Sequence, residues 1–307
     1  MTAADLAGSR VLVAGLARSG LAACEALVER GARVTVVDGA TSEGVLAAAA
    51  TAEGMGVQVG LGPSAAQRLP HDVDLVIASP GWPPHAPLLR DAVERGVRVW
   101  GEVELAWRLR APGAPDWLVV TGTNGKTTTT RMLESMLRAD GRRCLAVGNI
   151  GVPLVSVVTG EQTYDVLAVE LGSPQLHSVS SVSAAAATVL NLAPDHIDWH
   201  GSFEAYRAAK RVAYDRCRDV AVHNADDPAT AALVAEASLL PGCRSVSFTT
   251  AEPGVGQLGV ADGTLLDRAF PDAAANRAGV VLADVADVAP AAPHNTANAL
   301  AAAALAR

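Results

Sequence analysis

The stretch Thr121-Gly122-Thr123-Asn124-Gly125-Lys126-Thr127-Thr128 is the part of this sequence best equipped for chemistry. It follows an apolar run and opens an amphipathic one, as a phosphate-holding turn must. Backbone N–H groups at a helix start can cradle phosphate oxygens. Lys126 can set an ammonium against a transferring phosphate, and the Thr127 hydroxyl can hold Mg²⁺. The long phosphate-loop pattern requires a glycine five positions before Gly125, where Val120 stands. The turn is therefore a shortened variant. The competing reading is a chance Gly-Lys-Thr in a surface turn.

Three further places carry candidate chemistry. Glu170 closes the apolar run 166–170. A carboxylate at the end of a parallel strand can hold a metal bound to phosphate, or simply cap the next turn. The run Asn191-Leu192-Ala193-Pro194-Asp195-His196-Ile197-Asp198-Trp199-His200 puts two Asp and two His just past another apolar strand. His196 there is a candidate metal ligand, oriented by an adjacent Asp, and the bland alternative is a solvated loop histidine. Lys210, on the helix that follows, reads from its chemistry alone as part of a solvated face. Near the N-terminus, Gly15-Leu16-Ala17-Arg18-Ser19-Gly20 approximates a dinucleotide fingerprint, with Asp38 ending the next strand. Ala17 stands where the fingerprint wants the glycine that lets a backbone lie against a pyrophosphate. A nucleotide-like ligand at this helix start competes with a tight turn holding nothing, and NAD is the weaker option.

The elements that must position these residues alternate along the chain. Residues 10–14, 33–37, 73–79 and 97–100 read as strands, and 19–30, 87–95 and 102–110 as helices. Such alternation means crossover units and a parallel sheet. Ala111-Pro112-Gly113-Ala114-Pro115-Asp116 then reads as a linker. A second series follows, with strands at 117–121, 142–147, 166–170, 188–192 and 219–223 and helices at 126–139 and 203–216. Residues 253–287 are Gly- and Asp-rich with short strand-like runs, and 295–307 form an Ala-rich helix. The expected fold is α/β with two doubly wound domains. Residues 1–112 form a Rossmann-like domain and 116–307 a central domain of phosphate-loop ATPase type.

The bulk properties agree. A chain of 307 residues, half of them hydrophobic, can bury two cores. The formal charge of -8 without a basic stripe argues against a nucleic-acid partner. Cys24, Cys144, Cys217 and Cys243 form no CxxC pair, so they read as reduced core residues, not metal ligands. No secretory leader and no run of about 18 apolar residues is visible, so a cytoplasmic protein away from membranes is expected.

Taken together, these residues resemble the Mur ligases over nearly the whole chain. Gly122-Thr123-Asn124-Gly125-Lys126-Thr127-Thr128 is similar to the family's short phosphate loop. Asp195-His196-Ile197-Asp198 with Tyr206-Arg207-Ala208-Ala209-Lys210 looks like its second metal region. His294-Asn295-Thr296-Ala297-Asn298 resembles its adenine-binding segment. Ser79-Pro80-Gly81, Gly101-Glu102-Val103-Glu104-Leu105 and Gly148-Asn149-Ile150-Gly151 point to the D-glutamate-adding branch.

The resemblance implies an ATP-dependent ligase that joins D-glutamate to UDP-N-acetylmuramoyl-L-alanine through an acyl phosphate, in peptidoglycan precursor synthesis. It implies that Gly122, Thr123, Asn124, Gly125, Lys126, Thr127, Thr128, Asn295 and Asn298 bind ATP. It assigns the UDP substrate to Gly15, Arg18, Ser19, Asp38, Ser79, Gly81 and Asn149. Lys126, Glu170, His196 and Lys210 take the catalytic roles. Thr127, Glu170, His196 and Lys210 hold Mg²⁺, with Lys210 carbamylated and so turned into an anionic ligand. A monomer is expected. The family carries a third domain, which holds the incoming amino acid and completes the ATP site. This chain ends at Arg307, just past the adenine-segment helix, so the 307 residues by themselves are expected to be inactive. Two rival readings are another amide ligase of the superfamily, such as a folylpolyglutamate synthetase, and a non-catalytic nucleotide-binding protein.

Overall fold

Runs such as Val11-Leu12-Val13 and Leu75-Val76-Ile77 have no polar face, so each needs cover on both sides, which parallel strands between helices receive. The computed structural model, which describes residues 3–270 and 278–307, gives them that cover. Its first sheet is fully parallel with strand order β3-β2-β1-β4-β5. These strands are β1 Arg10–Ala14, β2 Arg33–Asp38, β3 Gln58–Leu61, β4 Leu75–Ala78 and β5 Arg98–Gly101. The helices between and after them are α1 Arg18–Val28, α2 Glu43–Gly54, α3 Pro87–Glu94 and α4 Glu102–Leu109. Register pairs Val11 with both Val34 and Leu75, so the C-terminal ends of β1, β2 and β4 share one rim. The order reverses between β1 and β4, which makes that rim the natural ligand crevice. Neither α2 nor β3 was legible in the periodicity.

The second sheet has nine strands, in the order β14-β13-β12-β11-β10-β9-β6-β8-β7. Its parallel part comprises β6 Asp116–Thr121, β7 Cys144–Gly148, β8 Val166–Glu170, β9 Ala186–Val189, β10 Val220–Asn224 and β11 Arg244–Phe248. Strand β12 Gln257–Ala261 continues it in parallel, and β13 Thr264–Asp267 and β14 Val280–Asp284 finish it antiparallel. Residues 271–277 of the Gly- and Asp-rich stretch lie outside the described residues, as do Met1 and Thr2.

The helices of this part are α5 Lys126–Ala139, α6 Leu154–Thr159, α7 Ser173–His177, α8 Ile197–His200, α9 Phe203–Arg211, α10 Pro228–Glu236 and α11 Pro293–Ala306. Helix α11 packs along α5 and the sheet, burying Leu300 and a face of alanines with Leu133 and Leu137. Small side chains let the two helices approach closely, which is the use of the alanine-rich composition. Helix α9 stops at Arg211, short of the expected 216. The chain goes on in three-residue turns, with Ala213 N–H donating to Lys210 and Tyr214 N–H to Arg211, until Arg216 turns it at φ 63°.

The two sheets meet through a continuous buried contact. Leu6, Trp100, Val103, Trp117 and Leu154 share one apolar cluster. Across residues 111–116 the joint is also clamped, since the Trp107 and Trp117 rings meet edge to face with centres 5.0 Å apart and the Arg110 guanidinium lies 5.7 Å from the centre of the Trp117 ring. Among the described residues, no helix is long and apolar enough to cross a membrane.

Candidate functional site

Strand β6 lies between β9 and β8, so its C-terminal end is the middle of the second sheet's rim. The chain leaves it through Gly122 at φ 153° and Gly125 at φ 83°, a left-handed residue that starts α5. Two lysines converge there. Lys126 Nζ donates to the carbonyls of Gly122 and Thr123 at 3.1 and 3.0 Å. Lys210 Nζ donates to the same Gly122 carbonyl at 2.8 Å and to Thr121 Oγ1 at 2.9 Å. Lys210 is 2% exposed, so the solvated-face reading of its chemistry is corrected by the structure. The hydrophobic face of α9 carries Tyr206, Ala209 and Lys210 inward together. Burial, and then the charge of Lys126, push the Lys210 amine down to about 7.

Beside the lysines stands a carboxylate. Glu170 ends β8 opposite Gly148 and is 1% exposed. Its Oε2 accepts from Thr127 Oγ1 and its Oε1 from Asn149 Nδ2, both at 2.9 Å. Both of these hydrogen bonds come from neutral donors, and the nearby Lys210 ammonium acts on the carboxylate through space. A buried carboxylate with a hydroxyl at the mouth of a phosphate turn fits a hard divalent cation such as Mg²⁺, which takes few protein oxygens and shares the substrate's phosphates. Consistent with that sparse donor set, no group of three or more His, Cys, Asp or Glu side chains forms a metal cluster among the described residues.

His196 sits differently. It stands at φ 50°, a left-handed conformation unusual outside glycine, at the start of the short helix α8. Its ring is 54% exposed and its Nε2 lies 3.5 Å from Asp195 Oδ2. Its polar contact is with its own loop, whereas Lys126, Thr127, Glu170, Asn149 and Lys210 form one connected set. The loop is tied to the phosphate turn by other residues. Asn191 Oδ1 accepts from Asn124 N–H at 2.8 Å, and Tyr206 Oη lies 2.8 Å from Thr123 Oγ1. Behind it His200 packs between Trp199 and Tyr206, and burial lowers its imidazole to about 4, so it is neutral.

Asn191, Tyr206 and Thr121 were missed as site residues. Only Asn191 left a usable signal, as a polar amide directly after a buried strand.

The Asn298 amide faces the turn from α11, and Asn295 stands behind it, its Nδ2 donating to the Pro290 carbonyl at 2.8 Å. Asn298 Nδ2 donates to Asn295 Oδ1 at 3.0 Å, and a Cβ on Gly125 would stand 2.5 Å from Asn298 Oδ1. Gly125, Asn191, Asn298, Leu190 and Phe248 line a cavity of about 260 Å³ there, with apolar walls and convergent amides. Thr128 lies one residue further into α5.

On the first sheet, Gly15 turns at φ 101° and leads into α1. Asp38 holds this turn, its carboxylate accepting from Leu16 N–H and from Ala40 N–H, each at 2.8 Å. Ser79 Oγ donates to the Gly15 carbonyl at 3.3 Å, and Gly81 is exposed on the same rim. Ser19 is half-buried in the first turn of α1. Arg18 is exposed and reaches across to the second sheet, donating from Nη2 to the Gly151 carbonyl at 2.5 Å.

Comparison with known proteins follows this division. The family described as Mur ligase MurD-like, N-terminal domain, matches residues 9–101. A UDP-N-acetylmuramoylalanine--D-glutamate ligase of Streptomyces avermitilis is 56% identical over 300 residues, covering 98% of this chain and 64% of that protein. The same-named protein of Thermobifida fusca is 50% identical over 305 residues, covering 99% and 64%. The chain thus spans 64% of the length of these relatives. Among solved structures, a UDP-N-acetylmuramate:L-alanyl-gamma-D-glutamyl-meso-diaminopimelate ligase from Neisseria meningitides has the same fold. It matches at TM-score 0.56 and 18% identity, covering 98% of this chain and 94% of that one. The UDP-N-acetylmuramate-alanine ligase of Thermotoga maritima matches at TM-score 0.53 and 21% identity, covering 97% and 64%. The family described as Mur ligase middle domain matches residues 120–306, the stretch that holds the lysines, Glu170 and the α11 amides, and the chain belongs to the Mur ligase family.

Proposed function

We propose that this chain forms the nucleotide-sugar and ATP sites of a ligase that joins D-glutamate to UDP-N-acetylmuramoyl-L-alanine. The observation that carries this reading is the connected set at the β6 and β8 ends, where Lys126, Lys210, Thr127 and Glu170 surround one phosphate turn. Residues 1–112 bind the uridine nucleotide at the β1, β2 and β4 rim. Gly15, Ser19, Asp38, Ser79 and Gly81 line it, and Arg18 supplies its cation. Residues 116–307 bind ATP, with Asn298 reading the adenine from the α11 cavity and Asn295 orienting the Asn298 amide. The protein acts as a monomer in the cytoplasm.

In this mechanism the alanyl carboxylate oxygen attacks the γ-phosphorus of ATP, the bond to the bridging oxygen breaks, and ADP leaves. Lys126 and the turn's N–H groups hold the charge on the transferring phosphate. The amine of D-glutamate then attacks the acyl carbon, phosphate leaves, and the amine gives up its proton to form the amide. Thr127 and Glu170 would hold Mg²⁺, with His196 and a carbamylated Lys210 at a second ion. Bound there, Mg²⁺ neutralises phosphate charge. The low basicity of Lys210 supports the carbamate, because only a neutral amine adds to carbon dioxide. The resulting anion also removes the repulsion between Lys210 and Lys126. Asn149 positions the muramoyl group beside Glu170.

Calorimetric titration of the chain with UDP-N-acetylmuramoyl-L-alanine, UDP, Mg²⁺–ATP and NAD tests the reading. Binding of the first three and no binding of NAD is expected. Micromolar NAD binding with none for UDP would overturn the uridine assignment.

A further inference from the structure

The stretch 148–155, the turn 148–151 and the start of α6, is gripped from the first sheet's side of the molecule at two points. Glu102, in the first turn of α4, is 3% exposed, and its Oε1 accepts from Val155 N–H at 2.6 Å. Val155 lies in the first turn of α6, which follows the turn 148–151 after Val152 and Pro153. Arg18, in the first turn of α1, holds the Gly151 carbonyl. The turn has little freedom of its own. Gly148 has φ 105°, a Cβ there would stand 2.2 Å from the Glu170 carbonyl, and Asn149 N–H donates to that carbonyl at 2.8 Å. Asn149 then donates from its side chain to Glu170 Oε1, and Thr127 to Oε2. One chain of contacts therefore runs from α4, through α6 and the turn, to the carboxylate at the phosphate turn.

We propose that Glu102 is a positioning residue that sets the Asn149–Glu170–Thr127 arrangement from the first sheet. The inference rests on the ATP and Mg²⁺ reading of that arrangement. Its neighbour Glu104 makes a useful contrast. Glu104 is also buried, and it accepts from the N–H groups of Ser180 and Ser181 at 2.9 and 3.0 Å and from Arg108 at 2.7 Å. The two serines follow α7 and lead to β9, not to the turn 148–151. Glu104 fastens the two sheets together, whereas Glu102 fastens them through α6, the helix that follows the turn carrying Asn149. The Glu-x-Glu spacing on α4 lets both side chains leave one helical turn toward different partners.

The test uses the chain with Glu102→Ala, Glu102→Asp and Glu104→Ala. Two readouts are taken: the Mg²⁺ concentration needed for half-maximal ATP binding, and the Asn149 side-chain amide signal in a ¹⁵N-asparagine spectrum. Glu102→Ala is expected to shift the Asn149 signal and raise the Mg²⁺ requirement about tenfold, leaving UDP affinity unchanged. Glu102→Asp, which keeps an acceptor one methylene short, should move both readouts in the same direction by a smaller factor. It also serves if the alanine variant does not fold. Glu104→Ala should lower the melting temperature and leave the Mg²⁺ requirement as it was. A parent chain that binds Mg²⁺–ATP, with Glu102 variants that match it in both readouts, would overturn the positioning role alone. A parent that binds no Mg²⁺–ATP would overturn the underlying reading, and the positioning role with it.

Discussion

The turn after β1 and the turn after β6 share a backbone plan and differ in charge. Each leaves the C-terminal end of a central parallel strand through a glycine of positive φ, Gly15 at 101° or Gly122 at 153°, and enters a helix. Each therefore presents helix-start N–H groups to its rim. At the first turn a carboxylate fills part of that space, since Asp38 takes Leu16 N–H and Ala40 N–H. At the second, two ammonium groups converge on Gly122. The backbone supplies the same partial positive charge in both, and the side chains decide what it recognises. Beside Asp38, a sugar or base with hydrogen-bond donors is favoured and a bare phosphate is repelled. Beside Lys126 and Lys210, the preference is inverted.

The largest expected effect breaks this contrast at its stronger end. Replacing Lys126 by Ala removes a charged donor from the phosphate turn. Charge-assisted hydrogen bonds contribute about 1.5–3 kcal/mol, so ATP affinity should fall roughly 10- to 100-fold. UDP affinity should not move, because the two turns stand on different sheets. A comparable loss for both nucleotides in calorimetric titration would mean that they share a site.

A second experiment tests how rigid the first turn is. A Cβ on Gly20 would lie 1.9 Å from the Gly15 carbonyl oxygen, which is backbone and has nowhere to go. At Gly125 the closest atom, at 2.5 Å, is the end of the Asn298 side chain, which can swing aside. Gly20→Ala should therefore cost about 1–3 kcal/mol of stability, the usual range for overpacking, and weaken UDP binding. Gly125→Ala carries the left-handed cost of roughly 1–2 kcal/mol at φ 83° and should in addition disturb ATP binding through Asn298. Equal urea midpoints for Gly20→Ala and the parent would show that the first turn relaxes freely.

The same two turns show which features the sequence could carry. Both were legible, because a strand's apolar run, a glycine and a helical pattern are local signals. So was Glu170, which stands at the last position of a buried strand. Lys210 was not legible from chemistry, since its burial depends on which way α9 faces once Tyr206 packs inward, a tertiary matter that one sequence does not print. It came only through resemblance. The Asp38 carboxylate was visible as a strand-end acid, but its two N–H partners depend on how β2 and its following loop sit beside β1. Strand β3 and helix α2 were lost because the run Leu46-Ala47-Ala48-Ala49-Ala50 has almost no amphipathic contrast, and β3 spans only Gln58–Leu61. The role of Glu102 was invisible for a similar reason, because its partner Val155 lies 53 residues away on α6, a helix beside the second sheet.

The smallest effect sharpens the contrast through pH. Lys210 is buried beside Lys126, so its amine titrates near 7 in the folded chain against 10.5 when exposed. Asp195 and Glu170 pull the other way and do not outweigh burial. Between those values the unfolded chain binds a proton that the folded chain does not, so stability rises with pH. Below about 7 both states are protonated and the full cost of the buried ammonium is present. One such group gives a slope of at most about 1.4 kcal/mol per pH unit, or about 1 kcal/mol between pH 7 and 8. Lys210→Met fills similar space without charge and should lose this slope. In carbon dioxide-free buffer its stability advantage over the parent should be greatest below pH 7 and shrink steadily toward pH 10. The matching change at the first turn, Asp38→Asn, puts no lysine at issue and should leave the slope from pH 7 to 10 unaltered. Urea unfolding of the three chains across that range makes the comparison. A parent and a Lys210→Met chain with parallel profiles would mean that the buried ammonium is already neutralised by its surroundings, and that the two turns differ less in charge than their side chains imply.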